Sequence, residues 1–167
     1  MRNIVAVSLC LLVSNVLAQE LPKHEGSDEL KRIKGLAGTW TGEVDHGKGP
    51  EPVTLVYRVT GGGSAVVETF NPGMPMEMVT VYHDRNGKLE MTHYCMLGNQ
   101  PHMKLTDSSE KSVSLELVKK SGIKKNEMHM SALTIEFQSA DKIKQIWTVN
   151  MDGKPSKGPA IELTRKP

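Results

Sequence analysis

The chain has 167 residues, 38% of them hydrophobic, with 21 Lys and Arg against 19 Asp and Glu and a formal net charge of +2. So even a balance excludes a nucleic-acid partner held by a concentrated basic face, and the length suits one domain with one core. Two cysteines are too few for a disulfide-built scaffold.

Arg2, the apolar run 4–13 and Val16-Leu17-Ala18 before Gln19 predict a secretory signal peptide over residues 1–18. The run is too short to cross a bilayer, so the expected product is exported, periplasmic or secreted, without an integral membrane segment once processed. Removing 18 of the 167 residues leaves 149, with 20 basic and 19 acidic side chains and Cys95 as the single cysteine. No internal disulfide is then open to the chain, and stability must come from packing. The sequence assigns no oligomeric state.

Residues 19–26 are polar and aperiodic and read as a flexible lead-in to a domain over 27–167. Ser27 can cap a short helix, with Asp28 and Glu29 in its first turn, where the helix dipole favours acids. Leu30, Ile33 and Leu36 or Ala37 form its one apolar stripe. From Thr39 the pattern changes to period two, and strands are predicted at 39–45, 53–60, 64–71, 77–84, 88–96, 100–106, 113–118, 129–138, 143–151 and 160–164. Asn86-Gly87 between two of them is a strong hairpin signal, because a type I′ turn needs two residues that tolerate positive φ. About ten short strands joined by turns describe an all-β chain, a single antiparallel up-and-down β-barrel whose closure disposes of both sheet edges, with a short N-terminal helix.

Alternation proposes the interior: Trp40, Val44, Leu55, Tyr57, Val66, Phe70, Met91, His93, Cys95, Met103, Leu105, Leu115, Leu133, Ile135, Phe137, Trp147 and Val149. On 77–84 the pattern is ambiguous, since Met78 and Tyr82 compete with Val79 and Val81.

Leu36-Ala37-Gly38-Thr39-Trp40, a Gly-x-Trp after a short helix, resembles the opening motif of lipocalins and related calycin barrels. Thr92-His93-Tyr94-Cys95-Met96-Leu97 echoes a second lipocalin motif, with His93 in place of its Asp. The resemblance implies a barrel whose Trp closes one end and whose interior carries a small apolar ligand. The strand count is also similar to that of fatty-acid-binding and nitrobindin-type haem-binding barrels. The stretch 92–101, with Gly61-Gly62-Gly63-Ser64-Ala65, resembles a family of exported bacterial proteins, and that likeness implies no activity.

The reading that follows is an exported barrel holding a small, largely apolar molecule, its candidate lining Tyr57, Glu68, Met91, His93, Cys95, Met103, Phe137 and Trp147. The alternative is a zinc, copper or haem site made by His93, Cys95 and His129. His93 and Cys95 share a strand face about 6.6 Å apart, and imidazole with thiolate suits zinc or copper. Met74, Met76, Met78, Met128 and Met130 add soft thioethers suited to Cu(I), although Met also fills irregular cavities. An enzyme using Cys95 beside His93, or Glu68 as a general base of raised pKa, is the third and least favoured reading. Residues 42–49 approximate a phosphate loop but lack Ser or Thr after Lys48 and lead into a strand, so the motif is set aside. The lysines of 119–125 read as a solvated hairpin tip.

Overall fold

The computed structural model describes residues 24–45, 49–119, 121–124 and 126–167. The expected signal peptide and lead-in residues 19–23 lie outside them. One helix, α1 (Asp28–Lys34), precedes ten strands: β1 (Gly38–Asp45), β2 (Pro50–Thr60), β3 (Ala65–Phe70), β4 (Met78–Arg85), β5 (Lys88–Tyr94), β6 (His102–Ser109), β7 (Ser112–Leu117), β8 (His129–Ser139), β9 (Lys142–Met151) and β10 (Lys154–Arg165). Each strand pairs antiparallel with its neighbour in sequence, and β1 closes on β10. The expectation of an antiparallel ten-strand barrel behind a short helix is borne out. Among the described residues no helix is long and apolar enough to cross a membrane.

Local chemistry accounts for the elements. Ser27 accepts the Leu30 amide at 3.1 Å and is itself tied to Asp84 on β4, its N–H donating at 2.6 Å and its hydroxyl at 2.8 Å. Leu30 and Ile33 are fully buried beneath the helix. Asn86 and Gly87 take φ of 52° and 74°, the two left-handed residues that a primed turn demands.

The same end of the barrel is sealed by Trp40, whose indole N–H donates to the Leu36 carbonyl at 2.7 Å. The Arg165 guanidinium lies 4.4 Å above the Trp40 ring and donates to the carbonyls of Ala37 at 2.7 Å and Gly35 at 2.8 Å. Arg32 of α1 donates to the Ser109 carbonyl and the Ser108 hydroxyl on β6. A helix, a tryptophan and two arginines therefore form a closed base.

Two features depart from simple alternation. Strand β10 begins six residues earlier than 160–164 implies and runs through Pro155, Gly158 and Pro159. The pairing with β9 survives because a bulge between Lys157 and Ala160 absorbs Gly158 and Pro159. There the chain passes so close to Trp147 that a Cβ on Gly158 would meet its carbonyl oxygen at 2.8 Å. The second departure lies in β8, where a register shift between Met130 and Ala132 reverses the inward set. Of the expected interior, Leu105 and Phe137 are only half-buried and the rest is buried. The ambiguity on β4 resolves with Thr80 and Tyr82 buried, Met78 turned to the same side and packed on the core.

Candidate functional site

Register builds the site. Cross-strand pairing sets Tyr57 on β2 opposite Glu68 on β3, Glu68 opposite Thr80 on β4, and Thr80 opposite His93 on β5. All four face inward and are buried, so one row of polar side chains crosses four adjacent strands. From the far wall, β9 adds Gln145 and Trp147.

The side chains of this belt satisfy one another. The Tyr82 hydroxyl donates to Glu68 Oε2 at 2.8 Å, and Gln145 Nε2 donates to the same oxygen at 2.9 Å and to the Tyr57 hydroxyl at 2.7 Å. Trp147 Nε1 donates to Gln145 Oε1 at 3.1 Å, which fixes the orientation of that amide. No cation takes part. Burial therefore pushes the Glu68 carboxyl above its usual range, and the bonds from Tyr82, Tyr57 and Gln145 pull it back without cancelling the shift. Burial, and then the neighbouring Glu68, raise the hydroxyls of Tyr57 and Tyr82 well above 10.

His93 completes the row on different terms. Its Nδ1 lies 2.9 Å from the Thr80 hydroxyl, and its ring is 4.8 Å from that of Trp147. Burial lowers its pKa to about 4, so the imidazole is neutral at neutral pH. Among the described residues Nε2 has no hydrogen-bond partner. It is not sealed either, because the sealed, unpartnered side-chain atoms among the described residues are Asn99 Oδ1 and Asn150 Oδ1.

Above the belt lies a cavity of about 210 Å³, running toward the end of the barrel opposite α1. Glu68, His93, Gln145 and Trp147 form its polar floor, and Val44, Phe70, Ile161, Pro159 and Cys95 its walls. Met76, Met96, Leu97 and Met128 ring the mouth and are exposed, with Met78 and Met130 deeper. Cys95 is 8% exposed, and burial raises its pKa over the bonds from the Leu97 and Met96 amides that lower it.

Of the residues expected to line a ligand site, Glu68, His93, Cys95 and Trp147 meet at this cavity. Tyr57 stands behind Glu68 and reaches the site through Gln145. Met91 and Met103 are packed in the core, paired across β5 and β6. Phe137 lies at the closed base, under the Arg32 guanidinium at 5.5 Å. His129 is off the cavity: the β8 bulge puts Met130 on the inward face in its place, and His129 Nδ1 bonds the Glu127 carbonyl at 2.6 Å. His93, Cys95 and His129 are therefore not brought together, and among the described residues no three His, Cys, Asp or Glu side chains cluster as a metal set. The cavity volume lies below the roughly 300–1,000 Å³ of pockets that enclose drug-sized ligands.

Sequence reasoning missed Gln145 and Thr80. Alternation could have found Gln145, which sits between Ile143 and Trp147 on the inward face of β9; an inward Gln on such a strand needs a partner. Thr80 needed the register of three strands.

No family model matches the chain, and no curated protein matches it. Among solved structures it is similar to Rv2717c from M. tuberculosis, at 14% identity and a TM-score of 0.59, over 86% of this chain and all of that one. It is also similar to a protein of unknown function from the DUF3598 family of Nostoc punctiforme, at 11% identity and a TM-score of 0.56. That match covers 80% of this chain and spans about half, 49%, of the Nostoc protein. At such identities the likeness is one of fold: a closed antiparallel barrel shared by proteins of little sequence in common.

Proposed function

We propose that the protein is an exported, calycin-like carrier, periplasmic or secreted, that holds a small, largely apolar molecule in the open half of its barrel. The observation that carries this reading is the 210 Å³ cavity, closed below by a hydrogen-bonded polar belt and walled by apolar and thioether side chains. A carrier needs that combination of apolar area with a few fixed polar groups. Five methionines in the lining give a wall that adapts to the shape of a guest. The enzyme reading draws less support: burial keeps Cys95 a thiol, and the His93 nitrogen turned to the protein is occupied by Thr80.

Protein purified from its native exported compartment, extracted with organic solvent and examined by mass spectrometry, should release one small organic compound at close to one equivalent. Returning that compound to stripped protein should raise the melting temperature, as linkage requires. An empty extract together with no response to a panel of apolar compounds sinks the reading.

One observation favours a second reading. Cys95 and Met76, Met78, Met96, Met128 and Met130 put six sulfur atoms around the same cavity as His93, a donor set suited to Cu(I). Elemental analysis of the same preparation tests it: copper at one equivalent, lost on His93→Ala with Cys95→Ala, would move this reading ahead of the carrier.

A further inference from the structure

The polar floor of the cavity is specific about what it can accept. Among the fifteen described residues that line the cavity there is no Lys and no Arg, and the one ionisable acid, Glu68, has no cationic partner. A ligand carboxylate pushed to this floor would give up water for a site with no counter-charge, next to a carboxyl that would have to keep its proton. Among the described residues an open hydrogen-bonding position at this floor is His93 Nε2, on a residue 4% exposed whose other nitrogen is held by Thr80. Thr80 can donate to Nδ1 or accept from it, so Nε2 offers a donor in one tautomer and an acceptor in the other. A hydroxyl answers both; a carbonyl or an ether answers one. Size adds a further limit. A dry cavity of about 150 Å³ takes up benzene, so 210 Å³ corresponds to a ring with a short substituent, about eight to ten non-hydrogen atoms.

Resting on the carrier reading, we propose that the barrel selects small uncharged alcohols or phenols, seated with their hydroxyl on His93 Nε2, and rejects carboxylates of the same shape. The cavity is then no fatty-acid site, although such barrels are an obvious analogy for its fold. Selectivity comes from two features: the hydroxyl gains a contact that a hydrocarbon cannot make, and an acid is excluded by the lack of a counter-ion.

Three aromatic probes of equal size, each of nine non-hydrogen atoms, separate these terms: 4-ethylphenol, 4-ethyltoluene and benzoate, titrated into the full protein at pH 7. Binding is read by calorimetry and by quenching of Trp147, whose ring forms part of the floor. The phenol is expected to bind up to about tenfold tighter than the toluene, the worth of one hydrogen bond, and the benzoate at least about a hundredfold more weakly than the phenol. His93→Leu should bring phenol and toluene to equal affinity while still binding both; with retained toluene binding as the check on folding, Thr80→Val should do the same in part. Benzoate binding as tightly as phenol overturns the charge selection and leaves the carrier standing. Equal binding of phenol and toluene by the unaltered protein overturns the His93 contact. No binding of any of the three overturns this inference, and the carrier reading falls with it only if the solvent extract is also empty and the wider panel gives no response.

Discussion

Two glutamates, each 3% exposed, sit in neighbouring parts of the same sheet with opposite chemistry. Glu68 belongs to the inner row that joins Tyr57, Thr80 and His93, where each partner is uncharged at neutral pH. Glu90 belongs to an outer row, His83–Glu90–Lys104–Glu116, on the solvent side of β4 to β7. Arg85 Nε, His102 Nε2 and Lys104 Nζ come within 3.2, 2.8 and 3.2 Å of its carboxylate. Burial pushes the Glu90 carboxyl up, but the bonds and charges of Lys104 and His102 outweigh it and leave the pKa lowered. Depth and partners together decide protonation: Glu68, deep in the barrel among neutral donors, is prone to keep its proton, and Glu90, on the outer face among cations, is not. The outer glutamate organises charge at a surface, and the inner one is the polar end of an apolar cavity.

The sharpest way to break the comparison is to delete each carboxylate. Glu68→Ala should cost about 3–4 kcal/mol, because it opens a cavity and leaves Tyr57, Tyr82 and Gln145 without a shared acceptor. Glu90→Ala should cost less, about 1–2 kcal/mol, since Arg85 and Lys104 are more than half exposed and can turn to water. Denaturant unfolding at pH 7 measures both, and a reversed order would show that the inner belt does not act as a unit.

The pH dependence sharpens it further, because the two groups differ in sign. The raised pKa of Glu68 means that, as pH climbs above the usual carboxylate range, the unfolded chain releases this proton and the folded chain keeps it, so stability declines until the raised pKa is passed. For Glu90 the contribution is present above the ordinary range and is lost as pH falls through its lowered pKa. His93 adds to the acid side: between pH 6.5 and about 4 the unfolded chain binds a proton that the folded chain refuses. Each slope is bounded by about 1.4 kcal/mol per pH unit, one proton. Glu68→Gln should remove the decline that begins above the usual carboxylate range, so that the rise with pH from His93 stands unopposed there. An unchanged profile would show that folding leaves the Glu68 pKa unshifted.

The smallest expected effect is that of Tyr82→Phe, about 1 kcal/mol for one hydrogen bond to Glu68. That hydroxyl lowers the Glu68 pKa, so its loss should carry the end of the Glu68 decline to higher pH. A profile unmoved by the substitution would place the Glu68 proton outside the control of this bond.

Much of the architecture was legible in order along the chain. Period-two patterning, the Asn86-Gly87 turn and the Ser27 cap each act within a few residues, and such signals survive reading one residue at a time. The pairing of His93 with Cys95 on one face of β5 follows from alternation and holds at the cavity wall. Where the pattern breaks, so does the reading. The single extra residue near Ser131 exchanged His129 for Met130 at the cavity, and the bulge at Gly158 lets β10 begin before 160–164. A bulge is set by what the partner strand can accept, and no local signal in the bulged strand reports that.

The sequence by itself thus determined an antiparallel barrel with a helical base, an inward imidazole and thiol, and an interior carboxyl at Glu68, because these depend on alternation and turn chemistry. Only the tertiary structure decided that Glu68 meets Tyr57, Tyr82 and Gln145 rather than a cation. It also decided that His93 keeps one nitrogen open and that the methionines gather at one mouth. Those outcomes depend on register across several strands and on closure of β1 against β10, where residues distant in sequence become neighbours.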